Sequence, residues 1–276
     1  AMTNWPPIEN SNLASRLAMD NDDFAALAVK LARRIEPREL TEAAYVRALA
    51  YPWERPQRSF ALADGVATAL QGGAPVAAGG EVRRWPLLSF GSNGVPAVLA
   101  RKLSVLPEGD RDIVVLTGEL EGYAIAASAH LALYGALPAT IEPASSVRER
   151  AAVLMVTAEQ FQALTLTEFN YRVVRLSGSP FTPDLELPRP VGILAYVSRW
   201  GAFGPDGGSN SQSESLDAAA RLTLGGQSGA RELVGRVFGD YAWAVEVAAP
   251  KLGKAARPFS DAGWEVLSSR RATRTA

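Results

Sequence analysis

The 276-residue chain has no cysteine, one histidine and no excess of charge of either sign. Without cysteine there are no disulfides, thiolate metal sites or cysteine nucleophiles. The single histidine, His130, excludes a metal centre built from several imidazoles. The formal net charge of −1 gives no electrostatic basis for nucleic acid as the main partner. We therefore expect no nucleic-acid partner and no metal ion; an all-carboxylate site at Asp20-Asn21-Asp22-Asp23 stays conceivable, but capping of the helix that follows is the preferred interpretation.

Long apolar runs are also missing. No stretch of the sequence reaches the length of about 20 residues that spans a membrane, and no N-terminal segment has the basic start and apolar core of a signal peptide. We therefore expect no membrane partner, and the cytoplasm is the default location. The composition, 47% hydrophobic and 21% charged, is typical of a globular chain that buries a sizeable core.

Helical spacing marks both ends of the chain. Apolar residues recur at every third or fourth position over 22–50, with a break at Pro37, so this segment is predicted to form two helices. Segment 214–248 is also predicted to be largely helical. The glycine-rich stretch QGGAPVAAGG, over 71–80, is the most linker-like part of the chain. Residues 51–60, YPWERPQRSF, combine two prolines with unpatterned aromatic residues, which indicates an ordered connector.

The middle of the chain is predicted to be rich in strands. Segments 113–120 and 123–134 have the pattern of a hairpin with Glu121-Gly122 as its turn, and 138–144 and 150–157 form a further pair joined by a loop. A helix over 158–168 then leads into strands over 171–178 and 190–200. Consecutive strands favour antiparallel pairing, so the sequence predicts an α+β fold.

The stretch LLSFGSNGVPAVLARKL, over Leu87–Leu103, holds the first candidate site. An apolar strand ends at Phe90, Gly91-Ser92-Asn93-Gly94 turns the chain, and Pro96 suits the first turn of a helix. Backbone N–H groups at a helix start can hold an anion. The spacing fits neither a P-loop, nor a dinucleotide fingerprint, nor a nucleophile elbow. Taken alone, the turn is better explained as an ordinary strand-to-helix connection than as an anion site.

Glu168 is the second candidate. It lies where the predicted mid-chain helix gives way to a strand, in apolar company that includes Leu166 and Phe169. A carboxylate held among apolar side chains loses hydration, which suits it to proton transfer near neutral pH. A glutamate that only faces solvent at a helix end would have the same local sequence.

The order of these features resembles the γ-glutamyl cyclotransferase-like family. A strand that ends in Phe-Gly-Ser-Asn is followed by a helix and then by a predicted hairpin that includes GELEGYAI. The segment PATIEPASSV comes next, and a strand and helix with the sequence VLMVTAEQFQAL follow it. Glu168 comes after this helix, with Tyr171 three residues later. The resemblance covers roughly residues 85–200 and implies a small mixed β-barrel with flanking helices. Residues 1–60 would form a helical extension packed on a domain over 61–276, which includes a C-terminal helical region.

The resemblance also implies a reaction. Glu168 would act as general acid/base in an intramolecular acyl transfer on a small, carboxylate-bearing γ-glutamyl amide, releasing an amine without any cofactor. Phe90 stands where the family has a tyrosine, and Gly94 where it commonly has an apolar residue. The residues assigned to substrate binding are Phe90, Gly91, Ser92, Asn93, Gly94 and Tyr171.

Two other interpretations stay open. A protein of the same fold can bind a small ligand or act as a scaffold without catalysis, because a fold alone does not confer an activity. A serine hydrolase using Ser92 with His130 is the other, although the chain lacks the elbow spacing. The enzyme interpretation requires Glu168 to face the Gly91–Asn93 turn across a cavity.

Overall fold

A computed structural model gives the three-dimensional arrangement of most of the chain. The residues it describes are 36–71, 83–204, 211–257, 262–268 and 272–273, together with positions 23, 27 and 30. The first of the two predicted N-terminal helices lies almost wholly outside these residues, and so does nearly all of the 71–80 linker. The remaining predicted elements can be compared with the structure.

The helices of the described residues follow the predicted order. They are α1 Glu42–Leu49, α2 Pro96–Leu103, α3 Ala158–Thr165, α4 Gln212–Leu224, α5 Ala230–Gly239, α6 Tyr241–Trp243 and α7 Ala249–Lys254, with a π-helical turn at Ala244–Ala248 and 3₁₀ turns at Ser92–Gly94 and Glu108–Asp110. The second N-terminal helix, the Pro96 helix, the mid-chain helix and the helical C-terminal region are therefore confirmed. In the described part of the chain, no helix combines the length and apolar character needed to cross a membrane.

The strands form one large, mostly antiparallel sheet. They are β1 Phe60–Ala63, β2 Val66–Ala69, β3 Trp85–Ser89, β4 Ile113–Ser128, β5 Ala139–Val156, β6 Tyr171–Leu176, β7 Phe181–Pro183, β8 Leu194–Ser198, β9 Ala202–Phe203, β10 Ala256–Arg257 and β11 Trp264–Leu267. The main path runs β10-β9-β4-β5-β3-β8-β6-β11, with β1 and β7 added on β4 and β2 added on β1. Only the β3–β8 pairing on this path is parallel.

The predicted α+β class is confirmed, but the predicted closed barrel is not. Among the described strands no ladder joins β10 to β11, so the two ends of the path stay apart and the sheet is not closed into a barrel. The boundary near residue 60 stays a prediction. The α1 helix preceding that point packs through buried Ala48 into the same apolar cluster as Leu233 and Val237 of α5.

The two predicted strand pairs in the middle of the chain are in fact two long strands paired with each other. β4 runs through Glu121-Gly122 without turning, and Val114 pairs with Met155 at one end and Ala127 with Ala139 at the other. Gly122 has a φ of +80° at a shift in register between β4 and β5. A β-bulge uses the same left-handed glycine conformation as a tight turn, so the Glu-Gly signal was interpreted wrongly.

Two helices bring the candidate site together. Leu99 and Leu103 of α2 pack with Phe161 and Leu164 of α3 in one buried cluster. A capping box at Thr157 starts α3, which ends at Thr165 and leaves Glu168 in the short turn before β6. The packing of these helices sets the 91–94 turn and the C-terminal end of α2 beside the turn that carries Glu168.

Candidate active site

The described residues enclose a cavity of about 270 Å³. Its walls come from α1 and the segment that follows it, the 91–94 turn, α2, the 130–139 connection between β4 and β5, and the turn after α3. The volume is near the lower end of the range for small-molecule sites. The predicted site residues that line the cavity are Phe90, Gly91, Ser92, Asn93, Glu168 and Tyr171. Gly94 is buried outside this lining, beside the Arg55 side chain.

Glu168 faces the 91–94 turn and contacts it directly. The Asn93 side-chain amide donates a hydrogen bond to Glu168 Oε1 at 3.1 Å, and Lys102 Nζ donates to the same oxygen at 2.7 Å and to Asn93 Oδ1 at 2.8 Å. The Lys102 and Glu168 side chains are only 11% and 12% exposed, so this ion pair is nearly shut off from solvent. The expectation of purely apolar surroundings for Glu168 was therefore wrong.

These contacts leave one carboxylate oxygen of Glu168 available. Both donors reach Oε1, and within the described residues no hydrogen-bond donor reaches Oε2. A carboxylate has lone pairs on both oxygens, so the ion pair fixes the group in place while Oε2 can still accept a proton. The sequence patterns did not identify Lys102 as a site residue. Lys102 lies near the end of the helix that follows the turn, and this helix brings it to the wall of the same cavity.

Two backbone amides at the 91–94 turn, those of Gly94 and Val95, are used to close the turn itself. Gly94 N–H donates to the Gly91 carbonyl and Val95 N–H donates to the Ser92 carbonyl, which closes the 3₁₀ turn. These two amides therefore cannot hold a ligand carboxylate, as the helix-start argument from the sequence assumed.

Cationic side chains dominate the charge of the cavity wall. Arg38, Arg47, Arg101 and Lys102 line it, and Glu168 is the one acidic residue in the described lining. Burial, followed by the neighbouring charge of Arg47, lowers the pKa of Arg101. Two guanidinium groups that repel each other beside a cavity are suited to share an anion. The described wall of the cavity therefore carries a net positive charge.

The 51–60 connector supplies an aromatic wall that the sequence did not assign to the site. The rings of Tyr51, Trp53 and Tyr134 lie 5.2 to 5.9 Å apart, and the Arg47 guanidinium lies 4.4 Å from the centre of the Trp53 ring. Arg55 from the same connector donates to the Phe90 carbonyl at 2.8 Å. The only signal in the sequence was the clustering of aromatic residues and prolines.

Three tyrosine hydroxyls of the cavity are held in the neutral form. Burial raises the pKa of Tyr51 to about 12, and the negative charge of Glu168 acts in the same direction. Burial also raises the pKa of Tyr134 and of Tyr171 well above the ordinary value. Near neutral pH each of these side chains is therefore an uncharged O–H group close to the Glu168 carboxylate.

His130 and Ser92 both line the cavity but have different partners. The Nδ1 atom of His130 lies 2.6 Å from the Ser128 hydroxyl, and burial lowers the imidazole pKa to about 3. The Ser92 side chain instead neighbours Tyr134 and acts to lower the pKa of that tyrosine. No hydrogen bond between Ser92 and His130 occurs in the described structure, so it does not contain the contact a serine hydrolase needs.

Comparison with known protein families and with curated proteins finds no match for this chain. The resemblance to γ-glutamyl cyclotransferases therefore rests on the residues and their order alone. In the part of the chain that the structure describes, no group of three or more His, Asp or Glu side chains is arranged to hold a metal ion.

Proposed function

We propose that this chain is a γ-glutamyl cyclotransferase-like enzyme that cyclises a small γ-glutamyl amide and releases an amine. We also propose that its open sheet is an elaborated form of the small barrel of that family. The observation that carries the proposal is the contact between Asn93 and Glu168, 3.1 Å apart on the wall of one cavity although 75 residues separate them. These are the two positions at which the resemblance implies substrate binding and proton transfer.

The reaction follows from the chemistry of Glu168. The α-amine of the γ-glutamyl group attacks its own γ-carbonyl carbon, a C–N bond forms in the five-membered ring, and the C–N bond to the leaving amine breaks. Glu168 Oε2 takes a proton from the attacking nitrogen and returns it to the leaving nitrogen. The products are 5-oxoproline and the free amine, and no redox partner or second substrate is consumed.

Asn93 and Lys102 act as positioning residues in this scheme. Their shared contacts with Glu168 Oε1 hold the carboxylate in one orientation and leave Oε2 for proton transfer. Because nucleophile and electrophile belong to the same molecule, a cavity that holds the folded conformer of the substrate supplies much of the acceleration. A rigid base in a small cavity suits this type of reaction.

The cationic wall supports a carboxylate-bearing substrate. A γ-glutamyl amide carries an α-carboxylate, and an amide of an amino acid carries a second carboxylate on the leaving group. Arg47 and Arg101 both line the cavity, and the charge of Arg47 acts on Arg101. We propose that the arginine pair receives the carboxylate of the leaving group.

The test is Glu168→Gln, with Glu159→Gln as the matched control. Glu159 lies in the exposed first turn of α3, so the control makes the same chemical change outside the cavity. Release of 5-oxoproline from γ-glutamyl-alanine, followed by mass spectrometry, is expected to fall at least about 100-fold in Glu168→Gln and to stay unchanged in Glu159→Gln.

Two results would contradict the proposal. Wild-type turnover in Glu168→Gln would remove the acid/base role of this residue. Binding of γ-glutamyl-alanine by the wild-type protein without any formation of 5-oxoproline would favour the non-catalytic ligand-binding alternative.

A further inference from the structure

We propose that Tyr51 is a further catalytic residue, whose O–H group donates a hydrogen bond to the carbonyl oxygen of the substrate as negative charge develops there. This inference rests on the proposed function. Tyr51 lies outside residues 85–200, the part of the chain that resembles the family, and enters the cavity from the connector after α1.

The Tyr51 hydroxyl oxygen already accepts a hydrogen bond from the protein. The Ala139 backbone N–H donates to this oxygen at 2.9 Å. A tyrosine hydroxyl is both an acceptor and a donor, so this bond orients the oxygen and leaves the hydrogen for a ligand. Among the described residues no hydrogen-bond acceptor is in reach of the O–H group.

Gly91 shows how closely the hydroxyl approaches the turn. A β-carbon on Gly91 would lie 2.5 Å from Tyr51 Oη, a separation that side chains do not tolerate. Gly91 thus allows the tyrosine oxygen to rest directly on the backbone of the turn that carries Asn93. The ring behind it is held by Trp53 and Tyr134, at centroid distances of 5.5 and 5.9 Å.

The location of this O–H group fits the reacting carbonyl. Tyr51 and Glu168 line the same cavity, and the negative charge of Glu168 raises the pKa of Tyr51. When the amine attacks, the carbonyl oxygen becomes an oxyanion and then recovers its double bond as the leaving amine departs. A buried neutral O–H stabilises that oxyanion by hydrogen bonding and keeps its own proton throughout.

The same geometry accounts for Phe90. The resemblance implies a tyrosine at this position of the loop, and phenylalanine removes its hydroxyl. Phe90 belongs to a buried apolar cluster with Leu88 and Leu116, while Tyr51 brings a hydroxyl to the neighbouring Gly91 from another part of the chain. The hydroxyl missing from the loop is thus replaced from the connector.

Tyr51→Phe tests the inference, with Tyr45→Phe as the control. Tyr45 lies on α1 outside the cavity and stacks with Arg231, so the control removes a hydroxyl from the same part of the chain. We expect kcat for γ-glutamyl-alanine to fall about 100-fold in Tyr51→Phe, as for other oxyanion donors. The Kd of γ-glutamyl-alanine, measured by calorimetry in the inactive Glu168→Gln background, is expected to change less than threefold.

A second variant separates donation from support of the loop. Trifluorotyrosine at position 51 keeps the shape of the side chain but ionises at lower pH, so the alkaline limit of kcat is expected to move to lower pH. A kcat within twofold of wild type in Tyr51→Phe, an equal loss of kcat and substrate binding, or an unchanged alkaline limit would each overturn the inference. If Glu168→Gln is inactive in the same assay, these results refute the role of Tyr51 and leave the proposed function standing.

Discussion

Acidification from pH 7 to pH 5 is expected to destabilise the protein through His130, the single histidine of the chain. In the folded state burial lowers the imidazole pKa from its ordinary value of 6.5 to about 3. Between these two pH values the unfolded chain binds a proton at this residue and the folded protein does not. Stability is therefore fully present above pH 6.5 and falls as the pH drops towards 3.

The size of the effect follows from the two pKa values. Well below pH 6.5 the free energy of unfolding falls by about 1.4 kcal/mol for each further pH unit. Close to pH 6.5 it falls less steeply, because the imidazole of the unfolded chain is only partly protonated there. The free energy of unfolding should thus fall by about 2 kcal/mol between pH 7 and pH 5. Asp184 has its pKa lowered by a hydrogen bond from Arg150, and such a carboxylate loses its contribution only below its ordinary value of 3.8.

Urea unfolding at pH 7 and pH 5 measures this difference, and His130→Gln serves as the comparison. The variant has no imidazole, so its loss of stability over this interval should be smaller than that of the wild type by about 2 kcal/mol. The reasoning would be refuted by equal losses in the two proteins. It would also be refuted by an imidazole C2–H resonance of the folded wild type that titrates near pH 6.5.

Two further predictions concern the walls of the cavity. Arg47→Gln is expected to raise KM about tenfold for γ-glutamyl-alanine and less than twofold for γ-glutamyl-ethylamine, which lacks the second carboxylate; equal effects on the two substrates would contradict a carboxylate site at Arg47. Gly91→Ala is expected to lower the free energy of unfolding by about 1 to 3 kcal/mol, because its β-carbon would lie 2.5 Å from Tyr51 Oη. Gly109→Ala, where a β-carbon meets no atom within 4 Å, is the control in urea unfolding, and an equal loss would contradict the contact.

Local patterns in the sequence predicted elements well and connections poorly. The apolar spacing and the capping Thr157 identify α3, and Pro96 marks the start of α2, because these signals act within one or two helical turns. Glu121-Gly122 was interpreted as a hairpin turn, but β4 continues through it. The dipeptide indicates a left-handed conformation at the glycine and does not determine the direction of the chain after it. Whether a left-handed glycine turns a strand or forms a bulge depends on the strand beside it.

Sequence patterns identified residues that line one cavity, but they did not identify the side chains that contact them. Asn93 and Glu168 were singled out, but the Lys102 ion pair was not, because it depends on how α2 and α3 pack. Contacts across 66 residues, such as that of Lys102 with Glu168, have no local signature. Leu166 packs in the core and is absent from the cavity lining, whereas Phe169 lines the cavity together with Glu168, so sequence neighbours were only a partial guide to its surroundings.

The connector over 51–60 shows why a resemblance limited to 85–200 underestimates the site. Its residues reach the turn from outside that range: Arg55 binds the Phe90 carbonyl, and the Tyr51 hydroxyl rests on Gly91. These two contacts restrict the movement of the 91–94 turn, so the segment after α1 contributes to the rigidity of the cavity wall. The loop and the connector therefore act as one unit, and replacing Phe90 by tyrosine alone should not substitute for Tyr51. In the described structure it is the connector that brings the Tyr51 hydroxyl to Gly91.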